Sequence, residues 1–550
     1  MIFFEKLSFQ SFLALITALI TKNKWFKNNK TTSIRFIDST LVGEYLVIPI
    51  LKMMGMDVKK LSFVMKDIKD GNDELLRIRI HRKDLFDIQK KIVESKAYQS
   101  LSDVSWGQGT LQNYLSKGLV DGEAWDSTSP SRILYLIGVI QWHMKAEGSP
   151  QSLFVANSRA WFDLYDEIAL ESQIKLLAAS KIEFKKSMIH QFIRRHAWLY
   201  ALLKNFKYKN NNEALNTADL SLNRLYVEGR GDINFSKNGE HSDFFWQINS
   251  DFPVNNILYK YVNDDEQKYL IDQGVLAIRE GVVTDSKYQR SYTKPKPNHH
   301  LARFRQESKV IRSIIDSYDL DRFYWSIFFK QYRVKLFLTW NKYSKDHMAI
   351  SDAIDDVGGI SVLWQMAFDG FTFSECQSNV DIAFNYSAFS NSLETLLGSH
   401  IKHRVIVGYP KDYVPALMKD RARAVREQLQ ANGAEKIVFV IDENSNDDDR
   451  WHTGHAMQQD NYRFILEKVL ETPWLGVIFK PKRASNLRKR LGPAVDKLLC
   501  EAEEIGRCYI YESLGRYTTS EAPILAGLSA DICIHGHLSG GTAALECALE

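Results

Sequence analysis

The sequence predicts an α/β fold with two Rossmann-like, doubly wound domains and a large, mostly helical insertion in the N-terminal half. Two series of short apolar runs have the length of buried strands, one starting at Val334–Thr339 and the other at Lys436–Ile441. Helix-forming segments separate these runs, a pattern typical of parallel sheets. A third observation is a turn rich in Gly, Ser and Thr at 535–542, which is followed by a segment of strong helix formers.

The chain opens with a predicted β-α-β unit, in which strands at 35–38 and 58–64 flank a helix at 42–54. Helical periodicity dominates from about residue 72 to residue 150. Residues 223–308 are polar and turn-rich, and the segment at 293–300 is expected to be an exposed linker rather than a strand. Further predicted elements are a buried helix at 133–142, a strand at 152–156 and an amphipathic helix at 161–179.

Regular alternation of strands and helices returns in the second half. An N-terminal domain at 1–409, with its insertion at about 70–320, would precede a C-terminal nucleotide-sugar domain at 410–550. The chain ends at Glu550 inside a predicted helix, so this second domain is expected to be incomplete. Strands are predicted at 334–339, 360–365, 381–384, 404–407, 436–441, 475–480, 508–511 and 531–534, the last of them buried.

The composition is that of an ordinary globular protein, with 550 residues, 45% hydrophobic and 25% charged residues, and a formal net charge of +4. Five cysteines without a C-x-x-C pair predict reduced core thiols in a cytoplasmic protein. No uninterrupted run of about 18 apolar residues predicts a membrane span. The basic tetrapeptide at 480–483 comes without a nucleic-acid recognition motif, so no nucleic acid partner is expected.

Two stretches suit contact with a membrane surface. The apolar segment Phe9–Ile20 precedes a basic, aromatic stretch at 22–30, and it fits either a buried first helix or an interfacial one. Basic and aromatic residues at 181–209 fit either anionic lipid headgroups or a solvated helix face. Peripheral contact with the inner face of the cell membrane is therefore one expectation.

Candidate donor-binding residues cluster where strands of the second series end. Lys480, Lys482 and Arg483 follow a strand, where cations would neutralise a diphosphate, whereas the next basic residues at 488–490 fit a solvated helix face. Asn444 follows the preceding strand. The final strand–turn–helix connection would point backbone N–H groups at an anion, although an ordinary capped turn has the same pattern. Its candidate residues are His535, His537, Ser539, Gly540, Gly541, Thr542 and Glu546.

Candidate catalytic carboxylates are Asp38 and Glu44, at the end of the first predicted strand and the start of its helix. A general base for an acceptor hydroxyl could lie there. Asp369 is a further candidate, and each of the three could instead be a cap or a surface carboxylate. His452 and His455 have a spacing that metal ligands use, but no third ligand is evident, and no metal is expected.

The C-terminal stretch HGHLSGGTAALECALE is similar to the S/T-x-x-x-E-A-L type turn of GT-B glycosyltransferases that build bacterial surface and capsular polysaccharides. The basic cluster at 480–483 resembles one in capsule-type and polyol-phosphate transferases, and the stretches GGISVLWQ and HRVIVGYPKDY resemble the end of their N-terminal domain. The resemblance implies a nucleotide-sugar substrate, bound by the turn and its helix, and a glycan or lipid-linked acceptor. It also implies direct displacement without a cofactor or an obligatory metal.

Three functions are compatible with these patterns. The first is a cytoplasmic glycosyltransferase that extends a bacterial surface polysaccharide on a membrane-bound acceptor. A nucleotide-sugar epimerase is the alternative enzyme, and conversion of a nucleotide sugar without an acceptor would indicate it. A non-catalytic scaffold of a polysaccharide assembly complex is the alternative from another class, and it predicts no nucleotide binding.

Overall fold

The chain forms two compact units, each made of segments that are discontinuous in sequence. Unit 1 comprises Met1–Lys209, Gln289–Leu320 and Phe373–Glu375, and unit 2 comprises Asn210–Tyr288, Asp321–Thr372 and Cys376–Glu550. The domain boundary predicted near residue 409 stays a prediction. The computed structural model describes residues 1–20, 33–96, 98–99, 110–122, 126, 129–179, 222–229, 233, 235, 242–247, 250–261, 263–279, 305–370, 372, 374–442, 445, 447–451, 454–511, 522–535 and 541–550.

The strands described in unit 1 are β1 (Ile2–Leu7), β2 (Ser33–Ser39), β3 (Asp57–Lys60), β4 (Ser152–Asn157) and β5 (Ile174–Ala179). They form a first parallel sheet in the order β3-β2-β1-β4-β5. The order reverses between β1 and β4, as in Rossmann-like sheets. β1 precedes the first predicted strand and was not predicted. Its sequence, IFFEKL, contains a glutamate that interrupts the apolar run.

Helices cover both faces of this first sheet. The helices of this part are α1 (Phe9–Ile20), α2 (Ile48–Met53), α3 (Leu76–Arg79), α4 (Leu85–Glu94), α5 (Thr110–Val120), α6 (Pro130–Ala146) and α7 (Phe162–Glu171). A π-helical turn, Gly43–Val47, leads into α2 and shares one core with α1, to which Leu15 and Leu51 contribute. A second π-helical turn, Ile80–Asp84, joins α3 to α4. For the described residues between 72 and 150, the predicted mainly helical character is confirmed.

A second parallel sheet lies in unit 2, and its described strands are β6 (Arg224–Glu228), β7 (Ile257–Tyr261), β8 (Leu276–Arg279), β9 (Val334–Thr339), β10 (Ile360–Trp364), β11 (Asn379–Asn385) and β12 (His400–Ile406). Their order is β12-β11-β10-β9-β6-β7-β8, with the reversal between β6 and β9. The helices that accompany them are α8 (Asp264–Asp272), α9 (Arg305–Tyr332), α10 (Asp346–Asp355) and α11 (Ala388–Leu396). Residues of α9 up to Leu320 belong to unit 1.

Three of the described strands lie within 223–308, which was predicted only as a polar, turn-rich stretch. β6, β7 and β8 are short and separated by polar stretches, so local alternation did not identify them. Their stability comes from packing within the sheet, where Leu225, Ile257 and Ala277 share one core with Trp364 of β10. Distant strands supply these contacts, and sequence patterns over a short window do not contain them.

A third parallel sheet, also in unit 2, has the order β15-β14-β13-β16 in the described residues. Its strands are β13 (Lys436–Ile441), β14 (Leu475–Lys480), β15 (Cys508–Ile510) and β16 (Ile532–His535). The helices around it are α12 (Val414–Ala431), α13 (His455–Glu471), α14 (Leu487–Glu504), α15 (Pro523–Ser529) and α16 (Thr542–Ala548).

The burial predicted for the last strand is wrong. β16 stands at the edge of the described third sheet, and all four of its residues are exposed, with 57% of Ile532 in solvent. Cys533 is likewise exposed and Cys547 only half-buried, so these two free thiols are not core residues.

An α/β fold with parallel, Rossmann-like sheets is confirmed. The number of sheets differs from the prediction, because the described residues form three sheets and two were predicted. The strand predicted at 35–38 and the strands predicted between 334 and 407 belong to different sheets. Within the described ranges, no helix combines the length and the apolar composition that crossing a bilayer requires.

Candidate functional site

The carboxyl edge of the third sheet brings together two of the predicted donor-binding residues. Ile441, the last residue of β13, is in register with Lys480 of β14 on one side and with His535 of β16 on the other. Lys480 is half-buried and His535 exposed. The strand order of this sheet reverses between β13 and β16, and open α/β sheets bind ligands at such a point.

The loop after β10 of the second sheet contacts the start of α16 beside this edge. The backbone N–H of Gly541 donates a hydrogen bond to the carbonyl oxygen of Phe368 at 3.1 Å, and the N–H of Phe368 donates to Thr542 Oγ1 at 3.0 Å. Carboxyl edges of the second and third sheets therefore meet at Phe368. Gly541 and Thr542 are engaged by the chain itself, and a ligand would have to replace or extend these contacts.

Glu546, one turn into α16, lines a small cleft together with Tyr409 and Lys411 of the segment after β12. The Tyr409 hydroxyl donates a hydrogen bond to Glu546 Oε1. Burial raises the pKa of Glu546, while that hydrogen bond and the positive charges of Lys411 and Lys480 oppose the rise. Burial, with the negative charge of Glu546, also raises the pKa of Tyr409.

The basic cluster after β14 divides into exposed and buried members. Lys482 and Arg483 are exposed. Arg490, at the start of α14, was expected on a solvated helix face but is buried. Polar partners surround its guanidinium group and compensate for the loss of water. It donates to Gln458 Oε1 at 2.6 Å and to Asn486 Oδ1 at 3.0 Å, and it lies 3.5 Å from Asp442 Oδ2. Arg490 therefore fixes the residues that follow β13 and β14.

Several predicted site residues lie outside the described residues: Asn444, His452, His537, Ser539 and Gly540. Their roles stay predictions. His455 is described, and its Nδ1 lies 2.8 Å from the Ser445 hydroxyl. Among the residues that the structure does describe, no group of three His, Cys, Asp or Glu side chains is arranged to hold a metal ion.

Asp38 and Glu44 belong to unit 1, whereas the donor-binding candidates belong to unit 2. The Asp38 carboxylate pairs with Arg132 at 2.7 Å, and Arg132 also binds the fully buried Glu5 at 3.0 Å. Glu44 accepts a hydrogen bond from the Ser39 hydroxyl at 2.5 Å. Asp38 thus belongs to a charge network at the carboxyl edge of the first sheet.

Asp369, the third carboxylate candidate, is also held in a buried ion pair. Lys342 Nζ lies 2.7 Å from Asp369 Oδ2 and 3.0 Å from Glu394 Oε1. Glu394 accepts two further hydrogen bonds, from Ser378 at 2.9 Å and from Ser399 at 2.6 Å. These contacts connect α11 to the loops of the second sheet. They are the contacts of a network that stabilises the fold.

Glu228 is a carboxylate that the sequence analysis missed. It is the last residue of β6, in register with Thr339 of β9, so it stands where the order of the second sheet reverses. The Thr339 hydroxyl donates a hydrogen bond to it, and burial raises the pKa of its carboxyl group. A Glu–Gly pair directly after the apolar run LYV was the available signal, but the strand itself had not been predicted. A buried carboxyl group with a raised pKa can act as a general base.

The sequence matches no protein-family model, and no curated protein matches it.

Proposed function

We propose that the chain is a glycosyltransferase of the GT-B type, which transfers a sugar from a nucleotide-activated donor to a glycan or lipid-linked acceptor of a bacterial surface polysaccharide. One observation carries the proposal: Lys480 and His535 flank Ile441 at the reversal point of the third sheet, next to the Phe368 loop of the second sheet. Two successive doubly wound sheets with adjoining carboxyl edges are what the resemblance predicts for a donor site.

The chemistry of the site suits departure of a nucleotide. Lys480 and the exposed Lys482 and Arg483 supply positive charge for a diphosphate or a monophosphate leaving group. His535 could interact with the same group, since an imidazole N–H can donate a hydrogen bond to a phosphate oxygen. Catalysis would proceed by direct displacement, and the enzyme would work in the cytoplasm on an acceptor at the inner face of the cell membrane.

Nucleotide binding is the first test. The purified chain is heated with UDP, CMP, CDP, GDP or dTDP, because a ligand that binds the folded state raises the melting temperature. We expect one nucleotide to stabilise the wild type and Lys480→Ala to lose that shift. Lys497→Ala, which removes an exposed lysine of α14, is the matched control and should keep it. Gly541→Val is a poor probe, since a Cβ there would lie 3.2 Å from the Phe368 ring.

A second measurement separates the candidate functions. The nucleotide sugar of the base that binds is incubated with the chain, with and without membrane lipid extract as acceptor. Transfer of labelled sugar to the extract supports the glycosyltransferase, and conversion of the nucleotide sugar alone indicates the epimerase. No thermal shift with any nucleotide would contradict both enzymes and favour the scaffold.

A further inference from the structure

Unit 1 exposes large apolar side chains on two neighbouring helical segments. α1 and the segment Gly43–Met53 share a core on the same face of the first sheet. On their outer sides, Tyr45 and Met53 are each 79% exposed, and Ile20 is 74% exposed. We call this surface the apolar face and define it by Phe9, Leu13, Ile20, Leu41, Tyr45 and Met53.

Few charges interrupt the apolar face. The sequence of α1, FQSFLALITALI, contains no acidic or basic residue, and residues 41–54 contain only Glu44 and Lys52. A surface helix of a globular protein normally turns a polar side to water. Contiguous exposed apolar surface of this kind marks contact with a protein or a membrane.

The charges around the apolar face are mainly positive. Lys52 and Lys60 are exposed, and alternation along β3 places Lys60 on the same side of the sheet as the buried Val58. The Asp57 carboxylate is paired with Arg35 and Lys59. Directly after Ile20 the sequence reads TKNKWFKNNK, with four lysines, two aromatic residues and no acid. Basic residues beside an apolar surface complement anionic phospholipid.

A second copy of the chain fits this surface less well. Two-fold symmetric association would bring the same apolar face of two copies together. The exposed Lys52 and Lys60 of the two copies would then be brought toward one another, and their like charges would repel. A lipid surface supplies both the apolar phase and the negative charge.

We propose that the apolar face of unit 1 docks on a membrane surface that contains anionic phospholipid. Its aromatic and aliphatic side chains enter the boundary between headgroups and acyl chains, and the neighbouring lysines contact lipid phosphates. This inference goes beyond the proposed glycosyl transfer and does not depend on it, because vesicle binding is measured without nucleotide or acceptor.

The test is co-sedimentation of the full chain with vesicles of phosphatidylcholine, with and without phosphatidylglycerol. We expect binding to increase with the phosphatidylglycerol content and to weaken as salt is added. The triple variant Leu41→Ser, Tyr45→Ser, Met53→Ser should lower the partition coefficient about tenfold or more. The double variant Leu396→Ser, Phe464→Ser removes exposed apolar side chains of unit 2 and should bind like the wild type.

Folding is verified by the melting temperature, which these substitutions of exposed residues should leave nearly unchanged. Absence of vesicle binding by the wild type, or equal binding by the wild type and the triple variant, would overturn the proposal. Light scattering provides the other decisive outcome. A wild-type dimer that the triple variant converts to a monomer, without an effect on vesicle binding, would assign the apolar face to a second copy.

Discussion

Burial raises the pKa of the Glu228 carboxyl group, and this predicts how stability depends on pH. The Thr339 hydroxyl and the positive charge of Lys260 oppose the rise, and Asp346 adds to it. Because the folded-state pKa lies above that of the unfolded chain, about 4.3, the folded protein binds the proton more tightly. The contribution of this group is thus fully present below about pH 4.3 and is lost as pH rises through the folded-state pKa. Glu228→Gln should remove that loss.

Urea unfolding of the wild type and of Glu228→Gln at pH 4.5 and pH 8 measures the effect. The variant should gain stability relative to the wild type as pH rises, by about 1.4 kcal/mol for each unit by which the pKa is raised. Thr339→Val removes the hydroxyl donor that opposes the rise in the pKa of Glu228. This variant should therefore lose more stability than the wild type as pH rises. A difference between Glu228→Gln and the wild type that is the same at both pH values would contradict the prediction.

At the scale of single residues, the sequence predicted which residue types stand at strand ends but not which charges are buried. Lys480 and His535 were predicted to lie at a carboxyl edge, and their register with Ile441 agrees with that placement. Arg490 and Glu5 were not recognised as buried. Their partners are remote in the chain, since Glu5 and Arg132 are 127 positions apart. A charged side chain is buried only when such a partner exists, and local patterns do not contain that information.

At the scale of elements, strands in long apolar runs were predicted well. The limits predicted for β9, β13 and β14 are those observed. The strands that were missed are β1, β5 and β6 to β8. They are short or carry charged residues, and pairing with other strands holds them in place. β5 lies within 161–179, which was predicted as a single helix, although the helix ends at Glu171. For β16 the strand was predicted correctly but its burial was not. An apolar run indicates a strand, but it does not indicate whether other elements cover that strand.

The turn that connects β2 to the next helix depends on a glycine. A Cβ at Gly43 would lie 2.1 Å from the carbonyl oxygen of Leu7, a backbone atom at the end of β1. Gly43→Ala therefore forces the helical turn away from the sheet, and we expect a loss of about 1–3 kcal/mol in the free energy of unfolding. Gly71→Ala is the matched control, because no atom lies within 4 Å of a Cβ there. Urea unfolding that gave equal stabilities for the two variants would contradict the close approach.

At the scale of the whole molecule, each of the three sheets reverses its strand order once in the described residues, so each has a potential ligand-binding edge. The sequence predicted this architecture for residues beyond 334, where helices and strands alternate regularly. It did not predict that the chain returns to unit 1 after residue 288, because that return depends on contacts between segments that are far apart.

The returning segment should be necessary for the stability of unit 1. Within this unit, Trp161 has a left-handed backbone with φ of 55°, and its N–H donates to the Glu307 carboxylate at 3.0 Å. The ring of Tyr318 packs edge-on against Tyr114 at 5.1 Å, and both tyrosines are buried. A fragment of residues 1–209 alone loses both partners, which leaves an N–H without its acceptor and an aromatic ring exposed.

We therefore expect residues 1–209 fused through a long Gly/Ser linker to residues 289–320 to unfold cooperatively in urea, and 1–209 alone to unfold at a lower concentration or to aggregate. Tyr318→Ala in the fused chain should cost about 3–5 kcal/mol, because it removes a buried aromatic side chain. Circular dichroism during urea titration measures all three chains. If 1–209 were as stable as the fused chain, the segment after residue 288 would contribute nothing to the core of unit 1, and its assignment to this unit would be refuted.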